Sequence, residues 1–251
     1  MTTPARAPSA RPTPSSATPG SAAAPPSEDA ARGALAWLHS ARFLTTASRL
    51  EQLPAPGLPE IAFVGRSNAG KSSAINALAQ HKRLAFSSRT PGRTQHINLF
   101  EVGPRDRPDA LLADLPGYGY AAVERSAKLR WQRVMADYLQ ARASLAGVVL
   151  LADSRLGLTD LDERLLALLA PRLAGGAVRL LVLLTKADKL SRREAQQALL
   201  RCEQALATLA ADIPGEGEAA ADIGVTLFSA LSRQGLADVA EVLHDWRAGA
   251  A

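Results

Sequence analysis

The stretch GRSNAGKS, Gly65 to Ser72, decides the fold through what stands on either side of it. Before it comes Ile61–Val64, a short apolar segment that reads as a buried strand, and after it Lys71–Gln80 has helical period. A G-x-x-x-x-G-K-S spacing between a strand and a helix is a phosphate-binding loop. Gly65 and Gly70 allow the backbone to wrap a phosphate and turn successive N–H groups inward at a helix N-terminus. Lys71 brings a point charge to the β- and γ-phosphates, and the Ser72 hydroxyl is placed to ligate Mg²⁺. The loop implies a nucleotide, and with it the P-loop NTPase branch of the α/β class.

Outward from the loop, strands and helices alternate. Pro54, Pro56, Gly57 and Pro59 supply the turn that leads into the first strand, and a helix over Ala34–Arg49 precedes them. His96–Val102 and Ala110–Ala113 flank a Gly- and Pro-bearing turn and read as a β-hairpin. Gly147–Ala152 and Leu180–Leu184 are continuous apolar runs, as parallel strands covered on both faces require. Helices are expected over Arg125–Arg142, Asp160–Leu173 and Arg192–Leu209, the first with Trp131, Val134, Tyr138 and Ala141 on one face. A strand, Val225–Phe228, and a helix, Leu236–Trp246, close the chain. This order predicts a doubly wound, mostly parallel sheet with one antiparallel strand and helices on both faces. Its ligand should lie beyond the carboxyl ends of the strands.

With 251 residues the chain can hold one folded domain and flanking segments. Residues 1–33 are rich in Ala, Pro and Ser, and as far as Ser27 only Arg6 and Arg11 are charged. Such a segment cannot bury enough surface to offset its ordering entropy, so it reads as a disordered tail before a single domain over 34–251. A transit peptide is the alternative for an Arg-bearing, Ser-rich segment free of acids, and its many prolines count against one. The one cysteine, Cys202, shares a helical face with Ala195, Leu199, Leu206 and Leu209 and reads as core packing. Aromatic residues make up only 4%, so the core must be aliphatic. Lys and Arg outnumber Asp and Glu by 29 to 24, which permits a nucleic-acid partner without requiring one. No apolar run reaches the roughly 18 residues that span a bilayer, because Arg179 interrupts the longest, Leu173–Leu184. His39, His81, His96 and His244 are scattered without metal-ligand spacing.

Kinases, ATPases and GTPases share the phosphate loop, and the later motifs separate them. TKAD, Thr185 to Asp188, ends the run Leu180–Leu184, where a base can lie. An ionised aspartate only accepts hydrogen bonds. Guanine offers it two donors, N1–H and the N2 amine, whereas adenine presents an acceptor at N1, so Asp188 should select guanine. Lys186 would lie along the base plane, and Ser229 and Ala230 fit a backbone N–H contact to guanine O6. DLPG, Asp114 to Gly117, ends the strand Ala110–Ala113; Asp114 can reach Mg²⁺ through water and the Gly117 N–H can reach the γ-phosphate. Between these motifs lies SRTPGRTQ, Ser88 to Gln95, a loop with no apolar anchor. Its Thr94 is the candidate second Mg²⁺ ligand, which would make the loop a switch ordered by the γ-phosphate.

GRSNAGKSS, TPGRTQHINLF, DLPGYGYA and TKAD, in this order and spacing, resemble the EngB family within the TrmE-Era-EngA-EngB-septin-like GTPases, over about residues 35–248. The resemblance implies a Mg²⁺-dependent GTPase that is cytoplasmic, and a monomer that meets no membrane is expected. It also implies assistance to large-ribosomal-subunit assembly and a requirement for normal cell division and septation. It carries GTP contacts onto Gly65, Arg66, Ser67, Asn68, Ala69, Gly70, Lys71 and Ser72, and onto Gly92, Arg93, Thr94, Gln95 and His96. Further contacts fall on Asp114, Leu115, Pro116 and Gly117, on Thr185, Lys186, Ala187 and Asp188, and on Phe228, Ser229 and Ala230. Ser72 and Thr94 become the Mg²⁺ ligands, and Lys71, Thr94, Gly117 and Asn68 the residues expected to act on hydrolysis.

Tyr118 stands where a Gln would orient the attacking water, so slow intrinsic hydrolysis, accelerated by a partner or an ion, is expected. Asn68 resembles an asparagine that holds K⁺ beside the phosphates in some related GTPases; it either does so here or braces the loop. No acid occurs from Gln80 to Phe100, while Lys82, Arg83, Arg89 and Arg93 surround the switch and Arg125, Lys128, Arg130 and Arg133 follow DLPG. These cations are either an RNA-phosphate face or solvated loops and a helix face. Two other classes stay open: a P-loop kinase or ATPase, against which TKAD counts, and a division scaffold that uses GTP structurally.

Overall fold

The apolar runs that flank the phosphate loop lie side by side at the centre of a sheet. A computed structural model describes residues 28–85, 96–119, 125–212 and 221–248. The strands are β1 (Arg42–Ala47), β2 (Glu60–Gly65), β3 (Ile97–Val102), β4 (Ala110–Asp114), β5 (Leu145–Asp153), β6 (Arg179–Thr185) and β7 (Ile223–Leu227). Among the described residues they form one seven-stranded sheet in the order β1-β3-β4-β2-β5-β6-β7. β3 runs against both its neighbours, β1 and β4, and the remaining pairings are parallel. From β2 the chain turns toward β4, and from β5 toward β6, so the switch point expected to bind ligand falls between β2 and β5.

The helices are α1 (Glu28–His39), α2 (Lys71–Leu78), α3 (Arg125–Ala141), α4 (Asp160–Ala174), α5 (Arg192–Asp212) and α6 (Leu236–Trp246). Side-chain alternation along the central strands divides them into two layers. Ile61 and Phe63 of β2, with Val149 and Leu151 of β5, pack beneath α1, α2 and α6. Ala62 and Val64, with Val148 and Leu150, pack beneath α3, α4 and α5. Full burial of each large aliphatic side chain contributes roughly 1.5–3 kcal/mol. Cys202 is buried in the second layer with Leu206, and burial, helped by Glu203 and Asp162, pushes its thiol up to about 12.

One expected helix is two elements. Ala34–Arg49 was to be continuous, but α1 begins at Glu28, so residues 28–33 are helical, and it stops at His39. Arg42–Ala47 is the edge strand β1, paired to β3 with Phe43 opposite Phe100. RFLTTA holds one aromatic and two β-branched residues, which suit a strand once a partner is present. The partner comes from far along the chain. Arg42 bonds Glu101 at 2.9 Å, and the Ser40 hydroxyl accepts the Gly103 N–H at 2.8 Å. On α3, Val134 and Tyr138 face the core as expected, while Ala141 is exposed because Arg142 takes the inward position. The tail to Ser27, Arg89, Gly92, Arg93, Thr94 and Gln95 lie outside the described residues, as do the side chains of Arg125, Lys128, Arg130 and Trp131. Among the described residues no helix is long and apolar enough to cross a membrane.

At the end of the sheet away from the phosphate loop, a buried polar cluster joins β2 to α3. Glu60, with no exposed surface, accepts hydrogen bonds from the Tyr138 hydroxyl at 2.5 Å and from Arg142 Nε and Nη2. Arg142 also donates to Pro54 O at 2.8 Å, and Arg172 of α4 donates to Leu139 O and Arg142 O. Every charge in the cluster is met by a bonded partner, as burial demands.

Candidate nucleotide-binding site

β2 delivers Gly65 so close under β5 that a Cβ there would lie 2.7 Å from Leu151 O, a distance only glycine avoids. Asn68 (φ +69°) and Gly70 (φ +95°) are both left-handed, and they curl the chain into α2, which starts at Lys71. The first N–H groups of α2 have no carbonyl of their own helix to bond, which makes this end attractive to an anion.

The TKAD segment grips that loop from the side. The Thr185 hydroxyl donates to Ala69 O at 2.6 Å. Lys186, itself left-handed at φ +59°, donates from Nζ to Asn68 O at 2.8 Å and to Asp153 Oδ2 at 2.9 Å. Arg155 grips the same carboxylate with Nε and Nη2, at 2.9 and 2.6 Å. Arg155 first, and then Lys186, hold the Asp153 carboxyl well below the usual carboxylate range despite burial. Ala187 N donates to Phe228 O at 3.2 Å, which ties TKAD to the segment after β7. There the Ser229 hydroxyl donates to Asp188 Oδ1 at 2.6 Å and is the largest cause of that carboxyl's lowered pKa. Asp188 is therefore held ionised and oriented.

DLPG approaches the loop from the other flank. Leu115 N donates to Phe63 O at 3.1 Å, continuing the ladder of β4 beside β2. Asp114 Oδ1 pairs with Lys71 Nζ, both groups being buried, while Asp114 Oδ2 is buried with no hydrogen-bond partner among the described groups. Gly117 rests on Ser67, where a Cβ would come within 3.2 Å of Ser67 Oγ. Tyr118 N donates to Gly65 O at 3.3 Å and Tyr118 O accepts from Ser67 N at 2.9 Å. Its side chain turns away from the loop, and its hydroxyl donates to Asp162 Oδ1 of α4 at 2.5 Å.

The fold thus joins four of the five expected clusters: Gly65–Ser72, Asp114–Gly117, Thr185–Asp188 and Phe228–Ala230. His96 stands just before β3, within 2.7 Å of the Ser48 hydroxyl through Nδ1. Sequence reasoning missed Asp153, Arg155 and Asp162. Asp153 carried a readable signal, for it is an acid at the carboxyl end of a parallel strand, in register with Thr185. Ser229 needs refinement too: its N–H donates to Gln234 O at 3.1 Å, whereas the Ala230 N–H has no backbone partner among the described residues.

The chain is similar to known proteins. The family described as 50S ribosome-binding GTPase matches residues 60–186. A probable GTP-binding protein EngB of Acidovorax ebreus is 57% identical over 212 residues, which is 84% of this chain and 90% of that protein. A crystal structure of a probable GTP-binding protein engB superposes with a TM-score of 0.53 at 18% identity, covering 75% of this chain and 98% of that one. The structure of Era in complex with MgGDPNP and nucleotides 1506–1542 of 16S ribosomal RNA superposes with a TM-score of 0.56 at 17% identity, over 76% of this chain and 57% of that one. At such identities the superpositions speak for the fold alone.

Proposed function

The chain belongs to the EngB family of GTP-binding proteins and is a GTPase, and on that premise we propose that it is a Mg²⁺-dependent switch, cytoplasmic and monomeric, that assists large-ribosomal-subunit assembly. Normal division and septation depend on it in this reading, and its one GTPase domain runs from α1 onward. The observation that carries guanine recognition is the Ser229–Asp188 bond, which aims an ionised acceptor where two donors of the base can meet it. Ala230 N–H meets guanine O6, and Lys186 lies along the base plane. Gly65 to Lys71 wrap the phosphates, with Gly117 N–H on the γ-phosphate. The residues present fit Mg²⁺: the lone buried oxygen of Asp114 suits a metal-bound water, and the Ser72 hydroxyl and Thr94 are the ligands the sequence offers. Mg²⁺ would neutralise charge on the β- and γ-oxygens.

Tyr118 faces α4, so it does not take the water-orienting part of a glutamine, and intrinsic hydrolysis is slow in this reading. Lys186 already holds the Asn68 carbonyl, and the exposed Asn68 side chain makes no bond among the described residues, which favours K⁺ coordination over bracing. Turnover should be roughly tenfold or more faster in KCl than in matched NaCl, by analogy with an arginine finger of weaker effect. Equal rates would remove K⁺ from the reading.

A ribosomal partner is supported by the description of the matching family and by the acid-free stretch Gln80–Phe100, whose Lys82 and Arg83 are exposed, as is Arg133 on α3. The test is sedimentation with ribosomal fractions. Retention on large-subunit particles with a non-hydrolysable GTP analogue, release with GDP and weakening by salt are expected. Equal partner binding in both nucleotide states would favour the division scaffold instead.

A further inference from the structure

We propose that Tyr118 and Asp162 form a latch that positions Gly117, the glycine expected to contact the γ-phosphate, and so sets the ratio of GTP to GDP affinity. This rests on the GTP reading above. Tyr118 is a positioning residue here, held on two sides. Its backbone is bonded to Gly65 O and Ser67 N of the phosphate loop, and its hydroxyl to Asp162 Oδ1 at 2.5 Å.

Asp162 is itself immobilised. It is only 1% exposed, and its second oxygen accepts from Thr159 N at 2.8 Å and Thr159 Oγ1 at 2.7 Å, a capping box at the start of α4. The latch therefore anchors residue 118 to a helix end and not to a free side chain. The neighbouring glycines follow. Gly117 sits against Ser67, and Gly119 (φ +81°) is so near α4 that a Cβ would lie 3.0 Å from Leu161. With residues 117 to 119 pinned between loop and helix, the direction of the Gly117 N–H is fixed by structure outside the phosphate site. Burial, reinforced by Asp162, holds the Tyr118 hydroxyl pKa far above its ordinary value, so the phenol stays a donor throughout the working range. GDP has no group for Gly117 to contact. A loosened latch should therefore weaken GTP binding and leave GDP binding alone.

Affinities for GDP and a non-hydrolysable GTP analogue test this in four variants and the parent. Tyr118→Phe removes only the hydroxyl and should weaken the analogue roughly ten- to a hundredfold, the size of a lost bond to a charged group, with GDP unchanged. Asp162→Ala should do the same and melt earlier. Asp162→Asn can still accept from Thr159 and donate to the Tyr118 oxygen, so it should keep the parent's ratio. Thr159→Ala removes one bond to Asp162 Oδ2 but leaves the Thr159 N–H bond and the Tyr118–Asp162 bond in place, and should lower the melting temperature with little change in the ratio. A Tyr118→Phe ratio equal to the parent's overturns the proposal, and so does a Thr159→Ala ratio that shifts as far. A parent that prefers adenine nucleotides would instead overturn the GTP reading, so the two failures are distinguishable.

Discussion

Asp188→Asn is expected to lower GDP and GTP affinity by about three orders of magnitude, and to raise affinity for xanthine nucleotides. The carboxylate presents two acceptors to the two donors of guanine. An asparagine presents one acceptor and one donor, so its amide N–H₂ must face a donor of the base. Xanthine carries a carbonyl where guanine carries the amine, and that restores the match. Ser229 can still donate to the remaining amide oxygen, so the side chain should keep its place. Competition of GDP, XDP and ADP against a fluorescent nucleotide reads the change. Retention of parental GDP affinity would mean that the acid at 188 does not read the base.

Glu60→Ala is expected to be the most damaging change for stability. It removes the acceptor for Arg142 and for the Tyr138 hydroxyl at once, in a place where Glu60 has no exposure and Arg142 very little. Breaking a buried pair from one side costs about 3–5 kcal/mol, because the stranded charge keeps its desolvation penalty. For a domain of this size that is roughly 6–20 °C in melting temperature. Glu60→Gln should cost less, since an amide oxygen still accepts one of the bonds. A thermal melt of Glu60→Ala within about 2 °C of the parent would show that Arg142 reaches water instead.

What could be read from the chain divides along physical lines. β2, β5 and β6 are legible because strands covered on both faces need unbroken apolar runs, and the glycine loop is legible because its steric demands admit few residues. TKAD announced its place for the same reason: Thr185 and Lys186 bond the loop itself. β1 was not legible. Its pairing with β3 is a long-range event, and α1 supplies a helical pattern that runs up to it. The latch was half legible. Tyr118 stood out as a missing glutamine, but its partner Asp162 lies in another helix and looked like an ordinary first-turn acid. Ser229 was expected to offer its backbone N–H, and that N–H is already taken by Gln234 O, which no local pattern reveals.

The lone thiol has a practical corollary. Cys202 is both shielded and protonated at neutral pH, so maleimide and iodoacetamide reagents should pass it by. Leu231, 77% exposed and next to Ala230, is a natural position for an introduced cysteine. A dye attached there would be the sole label on the chain, stationed beside the proposed purine-binding segment, and its fluorescence should report nucleotide exchange in real time.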